Sequence, residues 1–173
     1  MRRLIVVAAM MACFSLTGNV QAQSFKFGHI NVQQVISLMP EKDSAEVKLK
    51  NYGTELSGEL ENLQTEFNNK YQAYLAKKDG LTPAIKDAKE KELQDLQQRI
   101  QEFQTTAQDD YQKMQSDLFK PILDKANEAI KKVAKANGFT YIFDIGTPGI
   151  VYYSDTQSID ITALVKKELG ITK

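Results

Sequence analysis

The sequence predicts an α+β fold: a long antiparallel helical hairpin, a coiled-coil arm, projecting from a small β-rich body that joins several copies of the chain. Three observations carry this. Leu49, Tyr52, Leu56, Leu60, Leu63, Phe67, Tyr71 and Tyr74 recur at steps of three and four. After Lys78-Asp79-Gly80-Leu81-Thr82-Pro83, the run Leu93, Leu96, Ile100, Phe103, Ala107, Tyr111, Met114 and Leu118 repeats those steps. Such spacing places one narrow apolar stripe on each of two helices, enough to pair them but not to build a globular core. Third, short runs of aromatic and β-branched residues stand at both ends of the chain, as strands require.

The N-terminus reads as a secretory signal over residues 1–22. Met1-Arg2-Arg3 is basic, Leu4 to Leu16 is mostly apolar, and Val20-Gln21-Ala22 is a small-residue cleavage pattern. The apolar run is shorter than the roughly 20 residues needed to cross a bilayer. A minor alternative is a lipoprotein signal through Cys13, though Met10 stands where Leu is usual. Cleavage near Ala22 leaves no cysteine, so an exported chain of this kind rests on packing or assembly rather than disulfides. Removing Arg2 and Arg3 from 22 basic residues leaves 20 against 22 acidic ones, a net charge of about −2. Nucleic acid, which needs a clear basic excess, is not expected as a partner.

The body is expected from residues 23–42 and 121–173, and the arm from 43–120 with its tip near 78–84. Ser24 to Ile30 reads as a strand, and Asn31 is positioned to cap a short helix over Val32 to Leu38, with Gln34 at capping-box spacing. Met39-Pro40 interrupts it, and the acidic Glu41 and Asp43 suit the start of the outgoing helix. Each arm helix has about 35 residues and spans ~50 Å. Gly80 and Pro83 mark the reversal, while Gly53 and Gly58 soften the outgoing helix without breaking it. Pro121 predicts a kink in the returning helix, and Asn137-Gly138 its end. Phe139 to Asp144 reads as a strand, Gly146 to Gly149 as a turn, and Ile150 to Tyr153 as the second strand of a hairpin. A last helix covers about Asp160 to Leu169, stopped by Gly170.

Both faces of these strands carry apolar residues, and a body of about 70 residues has a marginal core of its own. Contact between copies is therefore expected through Phe25, Phe27, Ile30, Phe139, Tyr141, Phe143, Ile150 and Tyr152. In the arm, Leu60, Phe67, Tyr71, Tyr74, Leu96, Phe103 and Tyr111 are candidates to touch a bound chain, with helix-to-helix packing as their other role. The returning helix is also rich in Gln, from Gln94 to Gln115, a face of neutral amides that is either a contact surface or simple helix preference.

Catalytic chemistry has little to draw on. His29 is the one histidine, and it lies in a strand. Asp109-Asp110 and Glu90-Lys91-Glu92 read as a solvated helix face, and no cofactor, metal or glycine-rich phosphate loop is expected.

The opening strand and short helix before Pro40, the long helical pair, Asn137-Gly138-Phe139, Ile150 to Tyr153 and the closing Ser158-Ile159-Asp160-Ile161-Thr162 come in an order that resembles the periplasmic chaperone family Skp, also called OmpH-like. The resemblance covers essentially the whole chain after the signal. It implies a homotrimer in which an oligomeric β-barrel body carries three arms around a cavity. It implies an ATP-independent holdase of the periplasm that encloses unfolded outer-membrane proteins and prevents their aggregation. Transient contact with a membrane surface at the arm tips is a further expectation. There, Lys70, Lys77, Lys78, Lys86, Lys89 and Lys91 are offset by Asp79, Asp87, Glu90 and Glu92. Members of the family are strongly basic, whereas this chain is slightly acidic, so attraction by bulk charge does not carry over. The alternative function is a non-catalytic coiled-coil tether or scaffold of the cell envelope.

Overall fold

The computed structural model describes residues 25–172. The signal segment 1–22, its cleavage pattern and Cys13 lie outside the described residues. Strand β1 (Phe27–Ile30) leads into helix α1 (Val32–Ser37), then α2 (Pro40–Lys77), a single 3₁₀ turn (Lys78–Gly80) and α3 (Pro83–Asn137). Strands β2 (Tyr141–Asp144) and β3 (Ser158–Asp160) follow, and α4 (Thr162–Glu168) ends the fold.

Local chemistry explains most boundaries. Asn31 is extended and its side chain accepts from the Gln34 N–H at 2.9 Å, closing the first turn of α1. Pro40 and Pro83 each occupy the first turn of a long helix, where a missing N–H costs nothing. The outgoing helix thus begins at Pro40, earlier than Glu41 or Asp43, because Pro supplies the helical φ. Gly138 ends α3 in the left-handed conformation (φ 67°), with its N–H on Ala134 and Lys135 carbonyls.

Pro121, expected to kink the returning helix, sits inside an unbroken α3. Its ring is on the exposed side, so the Asp117 carbonyl that loses its donor faces water. One turn on, Ile122, Ala126, Ala129 and Val133 form a buried stripe that holds the helix against the body.

The sheet differs from the expected hairpin. Its order is β2-β1-β3, and both outer strands run parallel to β1. After β2 the chain crosses to the other side of β1 before re-entering at Ser158. Ile150 to Tyr153 falls in this crossing and forms no strand of the sheet. Its apolar alternation is strand-like, but both edges of β1 are already taken by β2 and β3. Tyr153 instead lies over the sheet, its ring centroid 4.3 Å from that of His29.

The core is one cluster on the helix side of the sheet: Ile30, Val32, Val35, Ile36, Met39 and Ala45 meet Ile122, Ala126, Ala129, Val133, Ile161 and Val165. From this cluster α2 and α3 run out side by side. At 38 and 55 residues they span about 57 and 82 Å at 1.5 Å per residue.

Candidate functional site

Two surfaces merit attention: the outer face of the sheet and the seam of the helical hairpin. In parallel pairing, register partners share a face. Phe27 is opposite Tyr141, and His29 is opposite Phe143 and Asp160. The face away from the helices is therefore aromatic. Phe27 stacks on Tyr141 at 6.2 Å and on Phe143 at 6.3 Å, and Phe25 extends the row at 6.4 Å from Phe27. Phe25 and Tyr141 are about 60% exposed, a large aromatic area left to solvent in one protomer.

Two of the residues expected to join copies lie elsewhere. Ile30 is 1% exposed, at the centre of the protomer's own core, because it alternates with His29 onto the helix side. Phe139 precedes the strand, and the left-handed Gly138 resets its direction, so the ring packs on the core beside Gly28. Ile150 and Tyr152 are exposed on the crossing segment.

His29 is buried and its Nδ1 is 2.9 Å from the Ser158 hydroxyl, with the Tyr153 ring tilted over it. This places a histidine, a serine and, one pair further, Asp160 on one face. Ser158 is itself buried under that cover, so its oxygen serves the sheet rather than an approaching substrate. The Asp160 carboxylate accepts the Thr162 N–H at 2.8 Å at the start of α4 and sits below its ordinary pKa. Burial works against that shift, but the Thr162 hydrogen bonds and the nearby His29 outweigh it. Among the described residues there is no cluster of metal-ligating side chains, and no helix is long and apolar enough to cross a membrane.

The hairpin is closed at its far end by polar contacts. The Tyr74 hydroxyl donates to Glu90, and the Lys70 ammonium to Glu92, each across the two helices. Lys89 joins the second pair at 2.8 Å. Tyr74 and Leu96, expected to touch a bound chain, are in fact closed inside the seam at 7% and 6% exposure. Leu60, Phe67, Phe103 and Tyr111 are half-buried, and Tyr71 is exposed, stacked on Phe67 at 6.0 Å.

A depression of about 420 Å³ opens in the middle of the seam, lined by Leu56, Leu60, Phe103, Tyr111 and the small residues Gly53 and Ala107, with Ser57, Gln104 and Gln108 at its rim. Residue spacing alone missed it. The available signal was Gly53, against which the Tyr111 ring packs in place of a side chain, and the small Ser57 one turn on.

Comparison with known proteins fits this geometry. The family model of outer membrane proteins of the OmpH-like type matches residues 26–169. A chaperone protein Skp of Yersinia enterocolitica is 28% identical over 158 residues, covering 90% of this chain and 92% of that one. Another, of Pectobacterium atrosepticum, is 26% identical over 172 residues, covering 98% and 99%. The crystal structure of an OmpH-like outer membrane chaperone from Caulobacter crescentus superposes with a TM-score of 0.70 at 17% identity, covering 89% of each chain. That last likeness speaks to the fold alone.

Proposed function

The chain belongs to the OmpH-like outer membrane protein family, and from that premise we propose that it is an outer-membrane-protein chaperone: an ATP-independent periplasmic holdase that encloses unfolded clients between arms and keeps them from aggregating. The observation that carries the reading is the hairpin itself. Two helices run some tens of ångströms beyond the core, with an apolar seam left half-exposed in its middle. A spacer has no use for exposed apolar side chains, whereas a holdase needs many weak, non-directional contacts.

The division into a body of residues 23–42 and 121–173 and an arm of 43–120 is part of this proposal, as is a homotrimer joined through the aromatic sheet face. Phe25 and Tyr141, flanking the half-buried Phe27 and Phe143, leave a contiguous aromatic patch open to water, a surface suited to contact between copies. Several arms around one cavity turn weak contacts into firm retention by avidity. Release needs no fuel where the folded client in its membrane is the more stable state. The periplasmic location rests on the export pattern of residues 1–22 and on the resemblance to a periplasmic chaperone family. Transient membrane contact at the tips is supported by Leu75 and Ile85, both over 40% exposed beside Lys77, Lys78 and Lys86.

The test is light scattering of a urea-denatured outer-membrane barrel protein diluted with and without the chain lacking residues 1–22. Suppression at a few-fold molar excess is expected; unchanged aggregation would sink the proposal. If the arm instead tethers one partner, substitutions along it would show one large effect rather than many small ones.

A further inference from the structure

The seam of the arm is not closed evenly. On α2, Leu49 and Leu63 are 7% and 3% exposed. Among the described residues none between them is buried, although Tyr52, Leu56 and Leu60 keep the seam spacing. On α3 the same gap runs from Leu96 to Ile122, leaving Phe103, Ala107 and Tyr111 half-exposed. The cause is local. Gly53 offers no side chain, and the Tyr111 ring approaches so closely that an added Cβ would lie 3.1 Å from it. Ser57 turns its hydroxyl back onto the Gly53 carbonyl at 2.8 Å, leaving the space beside it open.

We propose that the depression in this open middle stretch is a binding subsite for an uncharged, apolar segment of unfolded polypeptide about three residues long. The proposal rests on the chaperone reading above and places the holding contact on the arm. Three features select the occupant. The side chains lining the depression are all uncharged, in a chain of which a quarter of residues are charged. They therefore match a segment without charge and penalise one that would bury an unpaired ion. Leu56, Leu60, Phe103 and Tyr111 offer apolar walls, while Gln104 and Gln108 carry amide donors and acceptors at the rim. An extended chain has such backbone groups to pair.

The length also fits. Along the depression, from Gly53 to Leu60, the helix rises about 10 Å, which an extended chain covers in roughly three residues at ~3.4 Å each. Barrel strands of outer-membrane proteins alternate apolar and polar residues, so any short stretch of one presents a row of this kind. One row of apolar side chains would enter the depression while the other faced water.

The test uses the chain without residues 1–22 and, as probe, a fluorescently labelled, urea-denatured eight-stranded outer-membrane barrel protein. Gln104→Glu with Gln108→Glu puts two carboxylates at the rim with no change of side-chain shape. Gln97→Glu with Gln101→Glu puts the same charge on the same side of α3, one heptad nearer the tip and outside the depression. Fluorescence anisotropy should show the first pair binding the probe at least about fivefold more weakly, because covering the carboxylates strips their water, and the second pair within about twofold of the parent. Equal effects of the two pairs, or none, would overturn the subsite while leaving the chaperone reading intact. A change in the chain's own assembled mass with the first pair would overturn it in favour of a contact between copies. A parent chain that holds no probe would overturn both.

Discussion

Tyr74 on α2 donates its hydroxyl hydrogen bond to the Glu90 carboxylate on α3, joining the two helices just before the hairpin tip. That bond, together with desolvation and the negative charge of Glu90 and Asp87, pushes the phenol from 10.0 up to about 12. A phenolate beside a carboxylate would lose the donor and add repulsion. Because the folded value is raised, the contact stabilises the tip fully below pH 10 and is lost as pH rises toward about 12. Titration by phenolate absorbance should show one of the seven tyrosines ionising late. Tyr74→Phe should remove that late step alone; its persistence would assign the step to another tyrosine.

The neighbouring lock has the opposite sign. Glu92 accepts from Lys70 across the helices and from Lys89 on its own helix, and these hydrogen bonds and charges hold its carboxyl at about 2 rather than 4.5. A depressed carboxylate stabilises the fold above its ordinary value, and the contribution fades as pH falls from 4.5 toward about 2. Both partners are over a third exposed, so salt screens the pair and its net effect on stability is small. The informative quantity is the carboxyl midpoint. Carbon NMR of Glu92 should place it near 2, and Lys70→Met should move it upward, because the Lys70 bond is its largest cause. An unmoved midpoint would assign the shift to Lys89.

Gly28 in β1 leaves no room for a side chain against Phe139 and Ile161. A Cβ there would lie 3.1 Å from two atoms of the Phe139 ring and 3.2 Å from the Ile161 side chain. Gly28→Val should destabilise by about 1–3 kcal/mol, the usual cost of overpacking. Ile161→Ala, which empties a fully buried site, should cost about 2–5 kcal/mol. Urea denaturation followed by circular dichroism measures both. Gly28→Ala combined with Phe139→Leu should recover part of the single-variant loss, since the smaller side chain yields the space. Additive losses would mean that the crowding comes from Ile161 instead.

What the sequence made legible was local. The apolar steps of three and four marked both long helices, Pro83 and Gly80 marked the reversal, Asn31 marked a cap, and Gly138 marked an end. Each depends on residues within a few positions of one another. The sheet was read wrongly because its pairing is non-local. Nothing in Ile150 to Tyr153 says that both edges of β1 will be occupied by Tyr141–Asp144 and Ser158–Asp160. The interior position of Ile30 follows from its alternation with Phe27 and His29, and the turned ring of Phe139 from the left-handed Gly138, past which strand parity does not carry. At Pro121 the helix continues, because the buried stripe beyond it outweighs one lost hydrogen bond. The seam spacing, finally, could not distinguish the closed contacts at Leu63 and Leu96 from the open ones at Leu56 and Phe103. That difference goes with Gly53, which read only as softening of the helix but admits the Tyr111 ring, and with Ser57, whose hydroxyl turns back onto the Gly53 carbonyl.

The aromatic face supplies the last prediction. Phe27, Tyr141 and Phe143 form a triangle of rings 6.2–6.3 Å apart, and Tyr141 is 59% exposed. A lysine at position 141 loses little within the protomer, because the ring it replaces is mostly in water already. If the face joins copies, that lysine must instead be buried among aromatic rings, where an unpaired charge costs several kcal/mol. Light-scattering mass should therefore find the parent chain as a trimer and Tyr141→Lys as a monomer. The helical circular dichroism per residue should be unchanged, since α2 and α3 owe little to this face. Tyr141→Phe should keep the trimer, which separates the aromatic surface from the hydroxyl. A parent chain that is monomeric, or a Tyr141→Lys variant that remains trimeric, would mean that the copies do not meet through β1 and β2.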